Sequence, residues 1–255
     1  MKLIFHKKYL EVYAYDPAAE AGRLEPTYKM IRADKFYEIV KPKRAKAKDI
    51  LRAHTEGHFD RIERSAQYEM SMLAAGGAIK TAELAYEGYP SFGLIRPPGH
   101  HASADSCWGF CFFNNMSIAL LKLKSEGKIN GAFILDFDLH VGDGNVNIIE
   151  DSDHFQILNP HGSTEGAYLD EVEATLKGLD EDMVDIIAVS AGFDNAVGDW
   201  GDVLSTGAYR KMGKWLKEHS EKICNGRRFA ILEGGYNHEL MATNLNAFCK
   251  EFGKE

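Results

Sequence analysis

Short apolar runs that alternate with helical patterns constrain the fold of this chain more than any other feature of its sequence. Six such runs, most of them bounded by Gly, Pro, Asn or Asp, are typical of β-strands: 3–5, 92–95, 132–137, 155–158, 184–189 and 229–232. Apolar residues at helical spacing predict helices over 70–85, 116–123, 209–223 and 238–252. The alternation predicts an α/β fold with a central, mostly parallel sheet flanked by helices. Because no repeat or linker divides the 255 residues, we expect one domain over residues 1–255.

Charge and composition argue against several classes of protein. A net charge of -8 and a pI near 5.7 are unfavourable for general nucleic-acid binding. The basic run at 41–48 is interpreted as a solvated loop and helix start, with nucleic-acid contact as the weaker alternative. No apolar run approaches the ~20 residues of a membrane span, and the first residues do not resemble a signal peptide. With four cysteines in a chain of this size, we expect reduced thiols and a cytoplasmic protein.

Polar residues cluster where four of the predicted strands end. The clusters lie at 96–101, 136–143, 192–194 and 233–236, each shortly after an apolar run. In parallel α/β sheets, functional sites form beyond the carboxyl ends of the strands. Alternate residues of a strand share a face, which predicts that Asp136, Asp138 and His140 converge at one strand end. We therefore expect the four clusters to meet in one crevice.

Asp138, His140 and Asp194 are the predicted metal ligands. Two carboxylates and an imidazole suit a divalent metal, and three protein ligands leave a position open for water or substrate, as in catalytic sites. Taken alone, Asp138 would more simply be a capping carboxylate and His140 a loop histidine. The second acidic strand end and the tandem histidines His100 and His101 favour the metal site.

The tandem histidines are the predicted proton-transfer pair. Adjacent imidazoles at His100 and His101 are costly to bury unless each ring N–H finds a partner. Asp136 and Asp143 are spare carboxylates beside the predicted ligands, and a carboxylate on one ring nitrogen fixes the tautomer of the imidazole. Such a pair can take a proton from water and return one to a leaving amine.

Tyr236 is the predicted donor to a developing oxyanion. It follows Gly234 and Gly235, whose backbone freedom lets a phenol swing into a site. Taken alone, Gly-Gly-Tyr is more simply the mark of a core tyrosine. Phe110, in the aromatic segment 108–115, is a candidate for lining a narrow channel. The sequence has no nucleophile elbow, phosphate-binding loop or dinucleotide fingerprint.

Five motifs, taken together and in this order, resemble those of the histone deacetylase superfamily, which includes the prokaryotic acetylpolyamine amidohydrolases. They are RPPGHHA at 96–102, GFCFFNN at 109–115, DFDLHVGDG at 136–144, AGFD at 191–194 and EGGY at 233–236. The segments 4–25 and 199–201 resemble the prokaryotic branch, so the resemblance covers nearly the whole chain. It implies an arginase–deacetylase fold and metal-dependent hydrolysis of an N-acyl, usually N-acetyl, amide of a small amine, polyamine or lysine side chain.

The resemblance also implies roles for the polar residues of the motifs. Asp138, His140 and Asp194 would bind zinc, with ferrous iron as an alternative. His101 would be the main general base and acid, and His100 its electrostatic partner.

Further implied roles concern the surroundings of the histidines and the substrate channel. Asp136 would orient His100, Asp143 would orient His101, and Tyr236 would polarise the scissile carbonyl. The residues expected to border the channel are Gly109, Phe110, Gly234 and Gly235. The family also often binds a potassium ion beside the 136–140 segment, which makes structural K+ an additional expectation.

Two departures from the family bear on the substrate. Val141 stands where the family often has a second histidine, next to a ligand but not itself a ligand. The stretches after residues 25 and 158 are shorter than in the family, which predicts a shallower, more open site that accepts bulkier acyl amides. Asp199 and Asp202 are interpreted as exposed loop carboxylates, with attraction of a polyamine's distal ammonium at the site mouth as the alternative.

Several alternatives stay open at this point. One is a deacylase of longer acyl-amines, and another is a non-catalytic acyl-amine binder on the same fold. A two-metal, ureohydrolase-like enzyme is disfavoured because Ala196 stands where an additional carboxylate would be needed. The expected partner is a small-molecule acylated amine, without nucleic acid or membrane, and the sequence leaves the oligomeric state open.

Overall fold

Seven parallel strands form one sheet at the centre of the molecule. In a computed structural model, which describes residues 1–149 and 154–254, the strand order is β2-β1-β3-β7-β6-β4-β5. The strands are β1 Lys2–Ile4, β2 Glu38–Val40, β3 Ser91–Gly93, β4 Ala132–Asp136, β5 Phe155–Leu158, β6 Ile187–Ala191 and β7 Arg228–Leu232. Every pairing between these described strands is parallel, so the predicted mostly parallel sheet is confirmed.

Helices flank the sheet and connect its strands. Within the described residues they are α1 Glu25–Ala33, α2 Ala47–Ile50, α3 Glu56–Glu63, α4 Tyr68–Tyr86, α5 Asn115–Ser125, α6 Asp143–Ile149, α7 Glu165–Lys177, α8 Thr206–Ile223 and α9 His238–Phe252. The four predicted helices correspond to α4, α5, α8 and α9 within three residues at each end. Three of them begin at a side-chain cap, Asn114 for α5, Ser205 for α8 and Asn237 for α9, which satisfies a free backbone N–H of the first turn.

The middle of the sheet is the most deeply buried part of the fold. Every residue of β3, β4, β6 and β7 is buried, which explains why these strands read as nearly continuous apolar runs. Next to β4 and β6, an aromatic cluster of Phe137, Phe193, Tyr209 and Phe248 packs in edge-to-face and tilted pairs, with ring centroids 5.1–6.5 Å apart. The base of the predicted site therefore rests on a closely packed core.

The four strands that precede the polar clusters are neighbours in the order β3-β7-β6-β4. In register, Ala191 at the end of β6 lies opposite Leu232 at the end of β7. The predicted convergence of the clusters at one edge is therefore what the topology produces. One detail differs, because β4 ends at Asp136 and both Asp138 and His140 lie in the following loop. Strand alternation does not place these two residues.

Two further features of the fold concern the cysteine side chains and the apolar character of the helices. All four cysteines, Cys107, Cys111, Cys224 and Cys249, are free. Within the described residues, no helix combines the length and the apolar character needed to cross a membrane.

Candidate active site

Asp138, His140 and Asp194 come together beyond the ends of β4 and β6. The Nδ1 atom of His140 lies 3.2 Å from Asp138 Oδ1 and 3.3 Å from Asp194 Oδ2. One ligand atom from each residue lies within 4.8 Å of the other two, as a shared metal ion requires. The structure therefore brings the three predicted ligands together.

Backbone N–H groups hold both carboxylates in place. Asp138 accepts from the N–H of His140 at 3.0 Å and of Gly234 at 2.8 Å, and Asp194 accepts from the N–H of Leu139 at 3.0 Å. A Cβ atom at Gly234 would lie 2.6 Å from both Asp138 Oδ2 and Asp194 Oδ2. Only glycine lets the chain after β7 approach the two carboxylates this closely.

The charges of this cluster fit a divalent cation. The hydrogen bond that His140 donates to Asp138, together with the nearby Asp194 carboxylate, raises the pKa of His140 to about 10, while burial and the charge of Asp138 raise the pKa of Asp194 to about 6. The buried Oδ2 of Asp194 accepts no hydrogen bond from any described residue. A metal ion would replace the proton on His140 and give this oxygen a partner.

Each histidine of the tandem pair has its own carboxylate. Nδ1 of His100 lies 3.2 Å from Asp136 Oδ2, and Nδ1 of His101 lies 2.6 Å from Asp143 Oδ1. Asp136 also accepts from the Asn145 side chain at 3.1 Å. The two imidazole rings are nearly fully buried, with centroids 4.0 Å apart. These pairings are the ones expected from the resemblance.

The two histidines carry different charges. Burial opposes protonation of His100, but the charges of Asp138 and Asp136 hold its pKa well above the ordinary value. Burial, followed by the positive charge of His100, lowers the pKa of His101 to about 4. At neutral pH, His101 therefore keeps a free lone pair on Nε2 while Nδ1–H donates to Asp143. A split of this kind between adjacent groups is typical of acid–base sites.

Tyr236 lies in the same cavity as the histidine pair. Burial raises the pKa of its phenol well above 10, so the hydroxyl remains an O–H donor. No described residue accepts a hydrogen bond from this hydroxyl, which leaves it available to substrate. The Asp199 carboxylate accepts from the N–H groups of Tyr236 and Asn237, both at 2.8 Å, and fixes the backbone that carries the phenol.

Arg23 supports the same segment from the buried side. Its guanidinium donates to the carbonyl of Gly235 at 2.9 Å and of Glu233 at 2.6 Å, and lies 5.3 Å from the ring centroid of Tyr236. No local pattern predicts this role, because Arg23 stands 210 residues before Glu233 in the chain. The segment that contains Arg23 resembles the prokaryotic branch, but this resemblance predicts no contact with the Gly234–Gly235 turn.

A second group of ligand-type side chains lies close by. His100, Cys111 and Glu233 each offer one atom within 4.8 Å of the others. Burial raises the pKa of the Cys111 thiol well above 9, and a protonated thiol is a poor metal ligand. The Glu233 carboxylate accepts from the N–H of Gly99 at 2.7 Å and of His100 at 3.2 Å. We therefore interpret the Glu233 carboxylate as a group that holds the backbone at His100, and not as a metal ligand.

The site opens into a cavity of about 100 Å³ with aromatic walls. Trp108 lies over His101 with ring centroids 3.8 Å apart, and Trp200 stacks on Tyr236 at 3.9 Å. Both indoles are about half exposed, at 55% and 51%. These tryptophans were not among the predicted site residues, and they narrow a site that the shortened loops were predicted to open. The full lining is Pro98, His100, His101, Trp108, Gly109, Phe110, His140, Trp200, Gly234 and Tyr236.

Three of the four predicted channel residues line this cavity, and Gly235 does not. At Gly235, φ is 118° and the carbonyl accepts from Arg23, so this glycine shapes the turn beside the channel. Gly109 and Phe110 both have left-handed φ values, 57° and 66°. A Cβ atom at Gly109 would lie 2.3 Å from Cδ2 of His101, so glycine is required for this close approach.

Asp199 and Asp202 hold their own loop. Asp199 binds the N–H groups of Tyr236 and Asn237, and Asp202 accepts from the N–H of Gly198 at 2.9 Å. Neither residue lines the cavity. The structure thus favours the interpretation as loop carboxylates over attraction of a polyamine at the site mouth.

Trp108 also contacts the carboxylate that orients His101. Its indole N–H donates to Asp143 Oδ2 at 2.8 Å. In the Trp108→Phe variant we expect kcat to fall about tenfold with little change in KM, because one hydrogen bond to a charged group is lost while an aromatic wall remains. Steady-state kinetics measures both constants. The matched control is Trp200→Phe, whose indole makes no hydrogen bond to a described residue, and an equal loss of kcat in the two variants would contradict the role of the indole N–H.

The buried His54 holds both ends of the loop that carries Gly109 and Phe110. His54 Nδ1 donates to the carbonyl of Ser103 at 2.9 Å, and its Nε2 accepts from the N–H of Asn114 at 2.8 Å. This arrangement needs the neutral ring, because protonation of Nε2 would point two N–H groups at each other. Burial, followed by the nearby His58, lowers the pKa of His54 to about 3.

The protein is therefore expected to lose stability in mild acid. Because the pKa of His54 is lower in the folded state than the ordinary 6.5, the unfolded state binds its proton first as the pH falls below 6.5. Between pH 6.5 and 4.5 this costs about 2 kcal/mol of unfolding free energy. Denaturant unfolding across this range should show a shallower decline for His54→Gln than for the exposed control His161→Gln. Identical slopes would exclude His54 as a source of the effect.

Comparison with solved structures identifies the fold class. The crystal structure of the HDA15 HD domain superposes with a TM-score of 0.85 at 21% identity, covering 99% of this chain and 88% of that one. The protein has the arginase–deacetylase fold, in which the carboxyl ends of a parallel sheet form the site.

Sequence comparison then gives the family. A profile described as the histone deacetylase domain matches residues 18–178 and 174–252. The chain is 29% identical to a probable deacetylase of Archaeoglobus fulgidus, over 95% of this chain and 84% of that protein. It is 25% identical to the polyamine deacetylase HDAC10 of Homo sapiens, over 85% of this chain and 38% of that protein. The chain belongs to the histone deacetylase family, whose members are deacetylases and related amidohydrolases.

Proposed function

We propose that the protein hydrolyses an N-acyl amide, with acetyl as the acyl group, of a small amine, polyamine or lysine side chain. One observation carries the proposal: three metal-ligand atoms, a neutral histidine and a protonated phenol converge at one cavity. Membership of the histone deacetylase family supports amide hydrolysis as the reaction. The name of one relative, a polyamine deacetylase, supports an acylated amine as the substrate class.

Asp138, His140 and Asp194 would hold the catalytic metal, which we propose to be zinc, with ferrous iron as the alternative. When bound, such a metal lowers the pKa of water and polarises a carbonyl group. A structural potassium ion beside segment 136–140 is a further part of the proposal.

His101 would move the proton. Its Nε2 accepts a proton from the attacking water while Nδ1–H stays on Asp143, and the same Nε2 then gives the proton to the leaving amine nitrogen. Burial, together with the cationic His100 beside it, keeps the resting His101 neutral. Asp136 holds the His100 ring through its Nδ1.

Tyr236 would stabilise the charge that develops on the carbonyl oxygen. Its O–H is held in the cavity by the Asp199 contact to its backbone and by the stack on Trp200. A donor fixed before the reaction stabilises an oxyanion without reorganisation in the transition state.

The walls of the cavity support the acetyl group and an amine as the substrate. A volume of about 100 Å³ between Trp108, Phe110 and Trp200 suits a slender acylamino group rather than a long acyl chain. The half-exposed indole faces can attract a distal ammonium of the substrate by cation–π contact. These walls support small polyamines and lysine side chains as the proposed substrates.

Turnover of an acyl-amine panel tests the proposal. The panel contains acetylated polyamines, an acetyl-lysine peptide and longer acyl-lysines, and metal content is measured on the same sample. We expect hydrolysis of acetyl amides, loss of at least about 100-fold of the activity with a chelator, and recovery with one zinc per chain. A rate of hydrolysis that the chelator does not change would contradict the metal mechanism. Binding without hydrolysis would identify a non-catalytic acyl-amine binder.

A further inference from the structure

A second, larger cavity lies apart from the active site and has a strongly basic lining. It measures about 450 Å³ and is formed by segment 41–49, α4 and α5. It shares no lining residue with the active-site cavity. Its basic side chains are Lys41, Lys43, Arg44, Lys46, Lys48, Lys80 and Lys122. The two acidic side chains in the lining are Asp49 and Glu83. A concentration of positive charge is notable in a chain whose net charge is -8.

Most of these cations lack an acidic partner. Arg44 pairs with Glu69, and Lys122 pairs with Glu126 and, at 3.9 Å, with Asp49. The other five lysines make no ion pair or hydrogen bond through their side chains with any residue in the described ranges. Like charges that line one cavity repel one another, and an anion in the cavity would relieve that repulsion.

The backbone that carries the lysines is fixed against α4. The N–H of Ala45 donates to the carbonyl of Met72 at 2.8 Å. A Cβ atom at Gly76 would lie 2.0 Å from the carbonyl oxygen of Lys43, so the segment packs directly on the helix at its glycine. One wall of the cavity is therefore preformed, and Lys80 of α4 and Lys122 of α5 also belong to the lining.

We propose that this cavity binds a compact oligophosphate, either free or as the phosphate chain of a nucleotide. Several ammonium groups from three chain segments match the repeated charges of linked phosphates, which lysine binds as a point charge. Among the described residues that line the cavity, none is an aromatic side chain on which a nucleic-acid base could stack. A long polyanion would also extend over the acidic remainder of the surface, whereas a compact one stays within the cavity.

Calorimetric titration with sodium tripolyphosphate, at ionic strength held constant with chloride, tests the site. We expect saturable binding of one tripolyphosphate per chain. The Lys43→Ala/Lys80→Ala variant removes one lysine from each wall and should weaken binding about tenfold. The matched control, Lys7→Ala/Lys8→Ala, removes two exposed lysines outside the cavity and should bind as the unchanged protein does. Thermal unfolding of each variant checks that the fold is retained, and Lys48→Ala gives a second, milder test.

The same calorimetric titration is repeated with ATP and with a single-stranded RNA of ten nucleotides. Equal affinity for ATP and tripolyphosphate would identify the phosphate chain as the group that the cavity recognises. Tighter binding of ATP would show that the nucleoside is recognised as well. Absence of saturable tripolyphosphate binding, or equal weakening by the two double variants, overturns the site. Tighter binding of the RNA than of tripolyphosphate would overturn the proposal that the ligand is compact. None of these outcomes depends on amide hydrolysis.

Discussion

Replacement of Tyr236 by Phe is expected to lower kcat by about 10²–10³-fold while KM changes little. The substitution removes only the hydroxyl, which burial keeps protonated and which faces the cavity without a described acceptor. The ring keeps its stack on Trp200, and Asp199 keeps its bond to the backbone. The lost interaction is therefore one that matters when charge develops on the substrate oxygen. Steady-state kinetics on an acetylated amine measures the effect.

A matched control for this prediction is Tyr209→Phe. The hydroxyl of Tyr209 is buried in the core and has no hydrogen-bond partner among the described residues, so its removal leaves no donor or acceptor exposed. We expect this variant to keep its kcat. Full activity of Tyr236→Phe, or equal losses in the two variants, would show that the phenol does not act on the substrate.

The His101→Ala variant is expected to lose about 10²–10⁴-fold in kcat. His101 is the one residue of the pair with a free ring nitrogen and a neutral resting state, set by burial and by the positive charge of His100. The predicted metal ligands are left unchanged, so bound metal should stay at the level of the unmodified protein. Kinetics and metal analysis on one preparation separate these effects.

The exposed His161→Ala variant is the control for the loss of an imidazole. If His101→Ala lost its metal together with its activity, the loss would not be evidence for proton transfer. If it kept its activity, Nε2 of His101 would not be the proton carrier.

The buried centre of the fold is well predicted by the sequence. Strands β3, β4, β6 and β7 are covered on both sides, so nearly every residue in them is apolar and the runs are easily recognised. Parallel pairing then obliges the residues after these strands to share one edge. That single topological consequence brings the predicted metal ligands and histidines together.

The edge of the fold and the walls of the site were not predicted, for different reasons. Strand β2 is an edge strand in which Glu38 and Ile39 are exposed, so it has no apolar run to mark it. The walls formed by Trp108 and Trp200 depend on contacts between segments far apart in the chain. The local pattern of residues indicates where a strand ends, but it carries no information on contacts between distant segments.

The position of Asp199 next to Trp200 has a consequence for how this enzyme could acquire new substrates. One short loop forms the mouth of the cavity through Trp200 and anchors the backbone of Tyr236 through Asp199. Mouth width and phenol placement are therefore not independent traits. A non-aromatic residue at Trp200 would widen the mouth and would also remove the aromatic surface on which the phenol rests. A change in the width of the cavity mouth at Trp200 is therefore coupled, through this loop, to the placement of the Tyr236 phenol.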